Sequence, residues 1–390
     1  MKNTIIILAL VIVSCTAENE TNVEDVVSPA NLTSEEPAFF QISESKLGLS
    51  WMEKEGDKSL LKYATYEDSK WSASSTIASG NDWFVNWADF PGVVANDTHW
   101  LAWFLQKSDT ATFAYDVMIT QSNDNGISWS APFKLHNDST HTEHGFVSAV
   151  ATKKGFQLIW LDGRNTGGAA HGAGAMSIRS AHVDFEGVIS NRKLLDDRTC
   201  DCCQTSLANT GDDAFIALYR DRSIREIRDI AFVNFNKEQI QSSPKIINPD
   251  NWKIAGCPVN GPRVVSNGNN TGVAWFTMSD TLSNVLFSSS LDGGITFSEP
   301  IVVETGTIGR VDVLVNKNDF YVSYIDETTN GTVLKIAKIN NNELVNTYSI
   351  SPIISARKTG FPRMAQIKNG LFMAYTGARS NKLELKSVHF

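Results

Sequence analysis

The chain has 390 residues, of which 10% are aromatic and 20% charged, and its formal net charge is -9. This acidic balance, without a basic tail or stripe, argues against nucleic acid as a partner. Beyond the N-terminus the sequence contains no apolar stretch long enough to cross a bilayer and no long helical pattern. The composition therefore favours one large unit of many short strands.

The N-terminus has the pattern of an export signal. Lys2 precedes a short apolar run, residues 5–13, that ends in Ile12-Val13-Ser14-Cys15. This ending resembles the bacterial lipobox, whose cysteine is acylated and becomes the new N-terminus; an ordinary cleaved signal with an incidental cysteine is the alternative. We expect a signal peptide over residues 1–14 and lipidation of Cys15, which would anchor the protein to a membrane of the bacterial cell envelope, on the periplasmic or surface side of the outer membrane.

A short alternating strand that ends in an aromatic residue recurs seven times, at intervals of roughly 50 residues. Its aromatic residues are Trp51, Trp103, Trp160, Tyr219, Trp275, Tyr324 and Tyr375. A strand-filled period of this length is typical of a β-propeller with four strands per blade. We therefore predict an all-β fold, a seven-bladed β-propeller with four-stranded antiparallel blades, in which these aromatics occupy equivalent second-strand positions. We also expect the protein to be a monomer.

The two ends of the repeat region predict how the ring closes. The last repeat stops at Phe390 after its third strand, whereas residues 25–31 resemble a fourth strand. Pairing of this segment with the last blade would close the ring and leave no open sheet edge. The resulting division is a polar, lipid-anchored tether with the closing strand over residues 15–36, followed by a propeller domain over residues 37–390.

Two turns match the pattern S-x-D-x-G-x-[TS]-[WF], at residues 122–129 and 290–297. In such a turn the Asp side chain bonds backbone amides, and the Gly supplies a positive φ. The match makes nearly all of the mature chain resemble the sialidase-like superfamily of Asp-box propellers. The resemblance implies that these turns are structural and lie on the side opposite the active site.

Propeller geometry predicts where the polar residues gather. Residues just before the first strand of a blade and just after its second strand surround one mouth of the central channel. Seven arginines occupy such positions or follow them closely: Arg164, Arg220, Arg222, Arg228, Arg263, Arg310 and Arg363. One annulus of arginines would hold an anionic ligand through bidentate contacts. Alternatively, several of them pair with Asp162, Asp221, Asp229 and Asp312 and tie the blades together.

Four cysteines form a second group. Cys200, Cys202 and Cys203 precede the inner strand of blade 4, and Cys257 precedes that of blade 5. Adjacent blades should bring them close together. Disulfides are the usual state of cysteines outside the cytoplasm, and a structural zinc site is the alternative.

His144 and His171, both in blade 3, are candidates for acid–base chemistry at the same mouth. A hydrogen-bonded structural role is the alternative for each histidine. Tyr219 is a third candidate, as a catalytic phenol, although it occupies the aromatic position that every blade repeats and packing explains it as well.

Two reactions fit these residues. The sialidase resemblance implies an arginine triad on the substrate carboxylate, a Tyr–Glu nucleophile pair and an Asp acid, but the expected F-R-I-P motif is absent from the early segments. Seven blades, two histidines in one blade, a nearby Tyr and Arg, and four clustered cysteines that could bind zinc together resemble the β-propeller ulvan lyases.

The ulvan lyase resemblance implies β-elimination on a uronic acid, as a lyase or as a chain-end dehydratase, within an anionic polysaccharide or its oligosaccharides. A sialidase-type exo-glycoside hydrolase and a non-catalytic glycan-binding lipoprotein remain the alternatives, because fold alone does not establish function.

Overall fold

The structure, a computed structural model, describes residues 21–31, 33–167, 174–368 and 370–390. It confirms the seven-bladed β-propeller with antiparallel, essentially four-stranded blades. One short 3₁₀-helix spans Arg357–Thr359. Within these ranges no helix is long and apolar enough to span a membrane.

The strands of each blade follow one another from the channel outwards. In blade 1 they are Ser34–Gln41, Leu47–Glu55, Lys58–Glu67, Lys70–Trp71 and Ser75–Gly80. In blade 2 they are Gly92–Asn96, His99–Lys107, Tyr115–Ser122 and Phe133–Lys134. In blade 3 they are His144–Thr152, Gly155–Asp162, Met176–Asp184 and Ile189–Thr199. In blade 4 they are Ser206–Gly211, Ala214–Arg220, Ile230–Asn236 and Lys245–Ile246. In blade 5 they are Arg263–Asn267, Asn270–Thr277, Asn284–Ser290 and Ile301–Thr305.

Blades 6 and 7 complete the ring. The strands of blade 6 are Thr307–Asn316, Asp319–Thr328, Gly331–Asn340 and Glu343–Ile353. The strands of blade 7 are Arg363–Ile367, Gly370–Gly377, Lys382–His389 and the N-terminal Asn22–Val26. The N-terminal strand pairs antiparallel with the last strand, Asn22 opposite His389. The predicted ring closure is therefore confirmed, but the closing strand is Asn22–Val26 and not residues 25–31. The innermost strand of blade 1 also begins at Ser34, within the segment that we expected to be tether.

The seven repeated aromatics all lie in second strands, as predicted. Six of them are at most 2% exposed, and Trp103 is 8% exposed. They belong to apolar clusters that lie between neighbouring blades; one such cluster joins Ile159 and Leu161 of blade 3 to Tyr219 of blade 4. The core of the protein is thus divided among the blade interfaces, and each repeat is stabilised by its neighbours.

Both predicted Asp-box turns form. Asp124 Oδ1 accepts a hydrogen bond from the Ser128 N–H at 2.9 Å, and Asp292 Oδ1 accepts one from the Thr296 N–H at the same distance. Gly126 has a φ of +85°, and Trp129 packs edge-on against Trp100.

Candidate functional site

The inner strands of three blades begin with a bulge that points a backbone N–H at the preceding blade. The bulged residues Glu36, Phe146 and Arg310 have φ values of 59°, 54° and 56°. Their N–H groups donate to Thr376 Oγ1 at 3.2 Å, Asp89 Oδ1 at 2.6 Å and Asn260 Oδ1 at 2.7 Å, respectively. A positive φ is costly for such residues, so the neighbouring blade holds each bulge in place. These bonds fix the starts of the inner strands of blades 1, 3 and 6.

Charge is divided unevenly around this mouth. Blades 1 to 3 contribute carboxyl groups, from Glu36, Asp89 and Glu143, whereas Asp201 of blade 4 is paired with Arg222. Burial raises the pKa of Glu36 and of Glu143, and the charge of Asp89 raises both further. Blades 5 to 7 contribute guanidinium groups, from Arg263, Arg310 and Arg363. The mouth therefore has an acidic half and a basic half, with Asp312 as the carboxylate of the basic half.

A chain of hydrogen bonds occupies the acidic half. The Tyr115 hydroxyl lies 2.9 Å from Asp89 Oδ2 and 2.7 Å from Glu143 Oε1. Asp89 and Tyr115 are buried, whereas Glu143 is half-buried and borders the mouth. Gly145 makes this approach possible, because a Cβ there would lie 1.9 Å from Asp89 Oδ2.

The number of protons in this chain of hydrogen bonds determines which of its carboxyl groups is protonated. A phenol carries one proton, so both contacts of Tyr115 are hydrogen bonds only if one of the two carboxyl groups is protonated. Burial raises the pKa of Glu143 to about 8, with further contributions from Asp89 and Asp201. Burial also raises the pKa of Asp89, to about 7, but the Phe146 N–H and the Tyr115 hydroxyl stabilise its ionised form. Between pH values of about 7 and about 8, Glu143 therefore donates to Tyr115, which donates to ionised Asp89.

The basic half contains two guanidinium groups around one carboxylate. Arg263 Nε donates to Asp312 Oδ1 at 2.9 Å, and the Arg263 side chain is 28% exposed. Arg363 Nη1 lies 3.8 Å from the same oxygen. Arg263 also lines a small cavity with Asp89 and Phe90. This cavity of about 20 Å³ has room for about one water molecule, so only the exposed part of the Arg263 side chain can meet a larger ligand.

The seven arginines do not form the single annulus that we predicted, because they fall into three groups with different partners. These groups are Arg263, Arg310 and Arg363 of blades 5 to 7; Arg220, Arg222 and Arg228 of blade 4; and Arg164 of blade 3. Arg310 donates to the carbonyl oxygens of Ala356 and Gly360 and lies over the Trp87 ring at 4.9 Å. Arg220 donates to the carbonyl oxygens of Asn260, Arg228 and Phe276 and is 1% exposed. Arg220 therefore ties blade 4 to blade 5, but through backbone carbonyls and not through the aspartates that the alternative reading named.

Arg222 and Arg228 lie beside the cysteines. Arg222 Nη1 donates to Asp201 Oδ2 at 2.8 Å, and its other nitrogens contact Glu226. Arg228 donates to Glu226 Oε2 at 2.8 Å and to Cys200 Sγ at 3.1 Å. These guanidinium groups are occupied by protein carboxylates and a thiol, which does not fit the substrate-binding role that we predicted for them.

His144 lies in the interior and not on the channel surface. It is 0% exposed and stacks on His136 with ring centroids 3.7 Å apart. Its Nδ1 faces the Thr142 carbonyl at 3.1 Å, and its Nε2 faces Asp138 Oδ2 at 3.1 Å. Both nitrogens face acceptors, so neither offers a lone pair to a substrate proton. The geometry does not support the predicted catalytic role of His144.

Arg164 belongs to the same buried cluster. Its Nε and Nη2 donate to Asp162 at 2.6 and 2.8 Å, and Nη2 also lies 3.1 Å from Asp138. This is the carboxylate pairing that the alternative reading of the arginines expected. His171 lies outside the described residues, so its role stays a prediction. Tyr219 is 1% exposed within the core between blades 3 and 4, and its hydroxyl donates to Asp196. This placement fits packing and not catalysis.

The four cysteines gather where blade 4 meets blade 5. The Sγ atoms of Cys200 and Cys203 are 3.4 Å apart, and those of Cys200 and Cys202 are 3.9 Å apart. A hydrogen bond with Cys202 is the largest cause that lowers the pKa of Cys257. In a tetrahedral zinc site with Zn–S distances of about 2.3 Å, sulfur atoms lie about 3.8 Å apart. Cys200, Cys202 and Cys203 thus lie close enough together to share one zinc ion, with Cys257 beside Cys202, and Arg228 would help to stabilise the Cys200 thiolate.

We expect the purified protein to contain about one zinc per chain. Metal analysis by mass spectrometry, combined with thiol titration under denaturing conditions before and after chelation, tests this expectation. Cys202→Ser should lower the zinc content, because it removes a ligand from the centre of the group. Metal-free protein in which these cysteines are joined in disulfides would establish the alternative, and free thiols without metal would exclude both interpretations.

The residues of the acidic chain were only partly visible in the sequence. Glu143 lies at a position where mouth residues were expected, but Asp89 and Tyr115 come from blade 2 and carry no motif. The repeat itself is a signal that could have identified such contacts between blades. The hydrogen bonds between Asp89 and Phe146 and between Gln204 and Gly261 each join residues that are 57 positions apart. A polar residue about one repeat before an inner strand is therefore a candidate partner of that strand.

No protein-family model matches the chain, and no curated protein sequence matches it. Among solved structures, an α-L-arabinofuranosidase from Fusarium graminearum, in complex with an iminosugar inhibitor, is 12% identical, with a TM-score of 0.51 and coverage of 91% of this chain and 92% of that one. A polysaccharide lyase, the ulvan lyase of family PL25 bound to an oligosaccharide of glucuronic acid and sulfated rhamnose, is also 12% identical, with a TM-score of 0.50 and coverage of 84% and 83%.

A Hadza microbial sialidase is 11% identical, with a TM-score of 0.45. The match covers 80% of this chain and spans 66% of the sialidase chain, less than two thirds of its length. At these identities the arabinofuranosidase and the ulvan lyase share a fold with this chain. The chain is thus a β-propeller of the architecture that both enzymes have.

Proposed function

We propose that this protein is a carbohydrate-active enzyme that performs β-elimination on uronic acid residues of an anionic, ulvan-like polysaccharide or its oligosaccharides. The observation that carries the proposal is the divided mouth: Glu143, the outer member of the hydrogen-bonded chain Glu143–Tyr115–Asp89, borders one half, and the partly exposed Arg263 borders the other. A sugar that carries a carboxylate can be oriented between the two halves by its charge.

The reaction needs three contributions. The carboxylate must be neutralised so that the C5–H bond becomes acidic, a base must take the C5 proton, and an acid must protonate the oxygen that leaves C4. The electron pair of the C5–H bond then forms the C4–C5 double bond as the C4–O bond breaks. Arg263 suits the first role, because its guanidinium is charged and partly exposed.

Glu143 suits the role of the acid. It is the half-buried member of the chain, and its raised pKa keeps it protonated near neutral pH. After it gives up its proton, Tyr115 can donate to the new carboxylate, as it does to Asp89 in the resting state. Within the described residues no side chain is assigned as the base, and His171 remains our candidate for that role.

A hydrolase is the second candidate, and the same chain favours it. Tyr115, Glu143 and Asp89 are the three residue types that the sialidase resemblance requires as nucleophile, its partner and an acid. Against this reading, Tyr115 is 0% exposed, whereas a nucleophile must reach the sugar carbon. A role for Tyr115 in passing a proton needs no such access.

We also propose that Cys15 carries the lipid and that the propeller acts at the membrane of the cell envelope. Cys15 lies outside the described residues, and the first described strand begins at Asn22. Globomycin-sensitive processing and labelling with a fatty-acid analogue would test the lipid. Labelling that persists in Cys15→Ala would contradict it.

Incubation with ulvan oligosaccharides should produce new absorbance at the band of the unsaturated uronate, because elimination creates a conjugated double bond. Reducing ends are measured in the same samples, and a neutral glucan of similar length is the matched control. New reducing ends without absorbance would establish the hydrolase, as would release of sialic acid from a model sialoside. A protein that binds the oligosaccharide but yields neither product would be a binding module.

A further inference from the structure

The central channel contains a cavity of about 180 Å³ below the mouth. Each of the seven blades lines it with residues that lie in the innermost strand or immediately before that strand. Most of the lining residues are apolar, but polar atoms form the larger part of the cavity surface, and Arg263, Asp312 and Arg363 contribute charge to it. This cavity is distinct from the pocket that adjoins the cysteines, which lies between blades 4 and 5.

Arg363 is buried without hydrogen-bond partners for the end of its guanidinium group. The residue is 4% exposed, and neither Nη1 nor Nη2 has a hydrogen-bond partner. The Phe90 ring covers one face of the group, with its centroid 4.5 Å from Cζ. Burial and the neighbouring Arg263 lower the pKa of Arg363 to about 9, so the group still carries its charge at neutral pH. Charged groups that are buried in this way need a partner.

Asp312 does not fully supply that partner. Its Oδ1 accepts from Arg263 Nε at 2.9 Å, and its Oδ2 accepts from the Met364 N–H at 2.8 Å. The distance of 3.8 Å between Oδ1 and Arg363 Nη1 is too long for a hydrogen bond. Two guanidinium groups thus share one carboxylate, which leaves an excess of one positive charge at the wall of the cavity.

We propose that the channel cavity binds a small oxyanion of the carboxylate or phosphate class, held chiefly by Nη1 and Nη2 of Arg363. The two nitrogens of a guanidinium group match two oxygens of such an anion, whereas a halide matches them less well. The volume admits an anion of this size together with water. The bound anion would compensate the excess charge where blades 5, 6 and 7 meet. The site does not depend on the proposed reaction, because the anion binds from solution without a sugar.

Thermal unfolding of the full-length protein at constant ionic strength tests the site. Sodium acetate or inorganic phosphate replaces sodium chloride in increasing amounts, and a ligand of the folded state raises Tm in a saturable way. We expect saturation with one or both oxyanions. In Arg363→Gln the affinity should fall at least about tenfold, because charge-assisted hydrogen bonds are lost. In the exposed control Arg192→Gln the response should stay unchanged.

Asp312→Asn provides a test in the opposite direction, which holds even if Arg363→Gln does not fold. The asparagine oxygen can still accept from the Met364 N–H, but the negative charge that competes with the anion is gone. The affinity for acetate or phosphate should therefore rise severalfold. Equal responses to oxyanions and chloride, an unchanged response in Arg363→Gln, or weaker binding in Asp312→Asn would each overturn the proposal.

Discussion

Replacing Glu143 with glutamine should lower kcat/KM on a uronate oligosaccharide by about 10²–10⁴-fold, which is the usual contribution of a positioned general acid. Glutamine keeps the size of the side chain and can still donate to Tyr115, but it has no proton to transfer. Tyr115→Phe should also be strongly impaired, because it breaks the connection to Asp89. The initial rate of absorbance increase at the unsaturated-uronate band gives the measurement.

Tyr219→Phe is the matched control for Tyr115→Phe. It also removes a buried phenol that donates to a carboxylate, yet it lies in the core between blades 3 and 4. Its activity per folded molecule should match that of the wild type. Wild-type activity in Glu143→Gln would keep the fold and discard our assignment of the acid.

The pH dependence gives the same assignment a second signature. Glu143 must be protonated, so kcat/KM should fall as pH rises through about 8. Asp89 must be ionised to accept from Tyr115, so kcat/KM should fall as pH drops through about 7. The two carboxyl groups titrate as a coupled pair, and the profile should be a narrow bell between these values. In Glu143→Gln the alkaline limb should disappear from the residual activity.

Replacing Asp162 with alanine should lower the free energy of unfolding by about 3–5 kcal/mol, the usual result of removing one partner from a buried ionic group. Asp162 is 0% exposed and accepts from Arg164 and from Trp160 Nε1 at 2.9 Å. It also lies 3.8 Å from His144. Burial opposes ionisation, but the bond from Arg164 and the charge of His144 outweigh it and lower the pKa of Asp162.

Urea denaturation followed by tryptophan fluorescence gives this measurement. Asp109→Ala, which removes an exposed carboxylate near the same blades, should leave the midpoint unchanged. Because the folded-state pKa of Asp162 is lowered, its stabilising contribution is present above the ordinary carboxyl pKa and is lost as pH falls through the folded-state value. The difference between wild type and Asp162→Ala should therefore shrink in acid. A difference that grows in acid would contradict this account of the cluster.

The repeat and its register could be predicted from the sequence because they depend on local patterns. A strand that alternates in polarity and ends in an aromatic residue records its own position in the blade, and seven copies at a similar spacing determine the number of blades. The Asp-box turns are equally local, since Asp124 bonds amides within its own turn. The closing strand was predicted three residues too far along the chain, since residues 25–31 overlap the observed strand Asn22–Val26 only at Asp25 and Val26.

The site could not be predicted in the same way, because its contacts join different blades. The sequence showed correctly that the cysteines would meet at the junction of blades 4 and 5. It did not show that Tyr115 of blade 2 would reach Glu143 before blade 3, nor that His144 would turn inwards against Asp138. Side-chain direction at the start of an inner strand depends on the bulge there, and each bulge is held by the preceding blade.

The amino-acid sequence by itself thus determined the propeller, the number of its blades, the seven buried aromatics and the end of the channel where polar residues collect. Only the tertiary structure decided which of those residues are paired in the interior and which face the channel. The physical reason is that periodic burial is encoded residue by residue, whereas the partner of a charged group is whatever the neighbouring blade places beside it. Arg220 and Arg363 illustrate this difference: both were expected to bind a substrate, but backbone carbonyls surround one, and the guanidinium nitrogens of the other face a cavity.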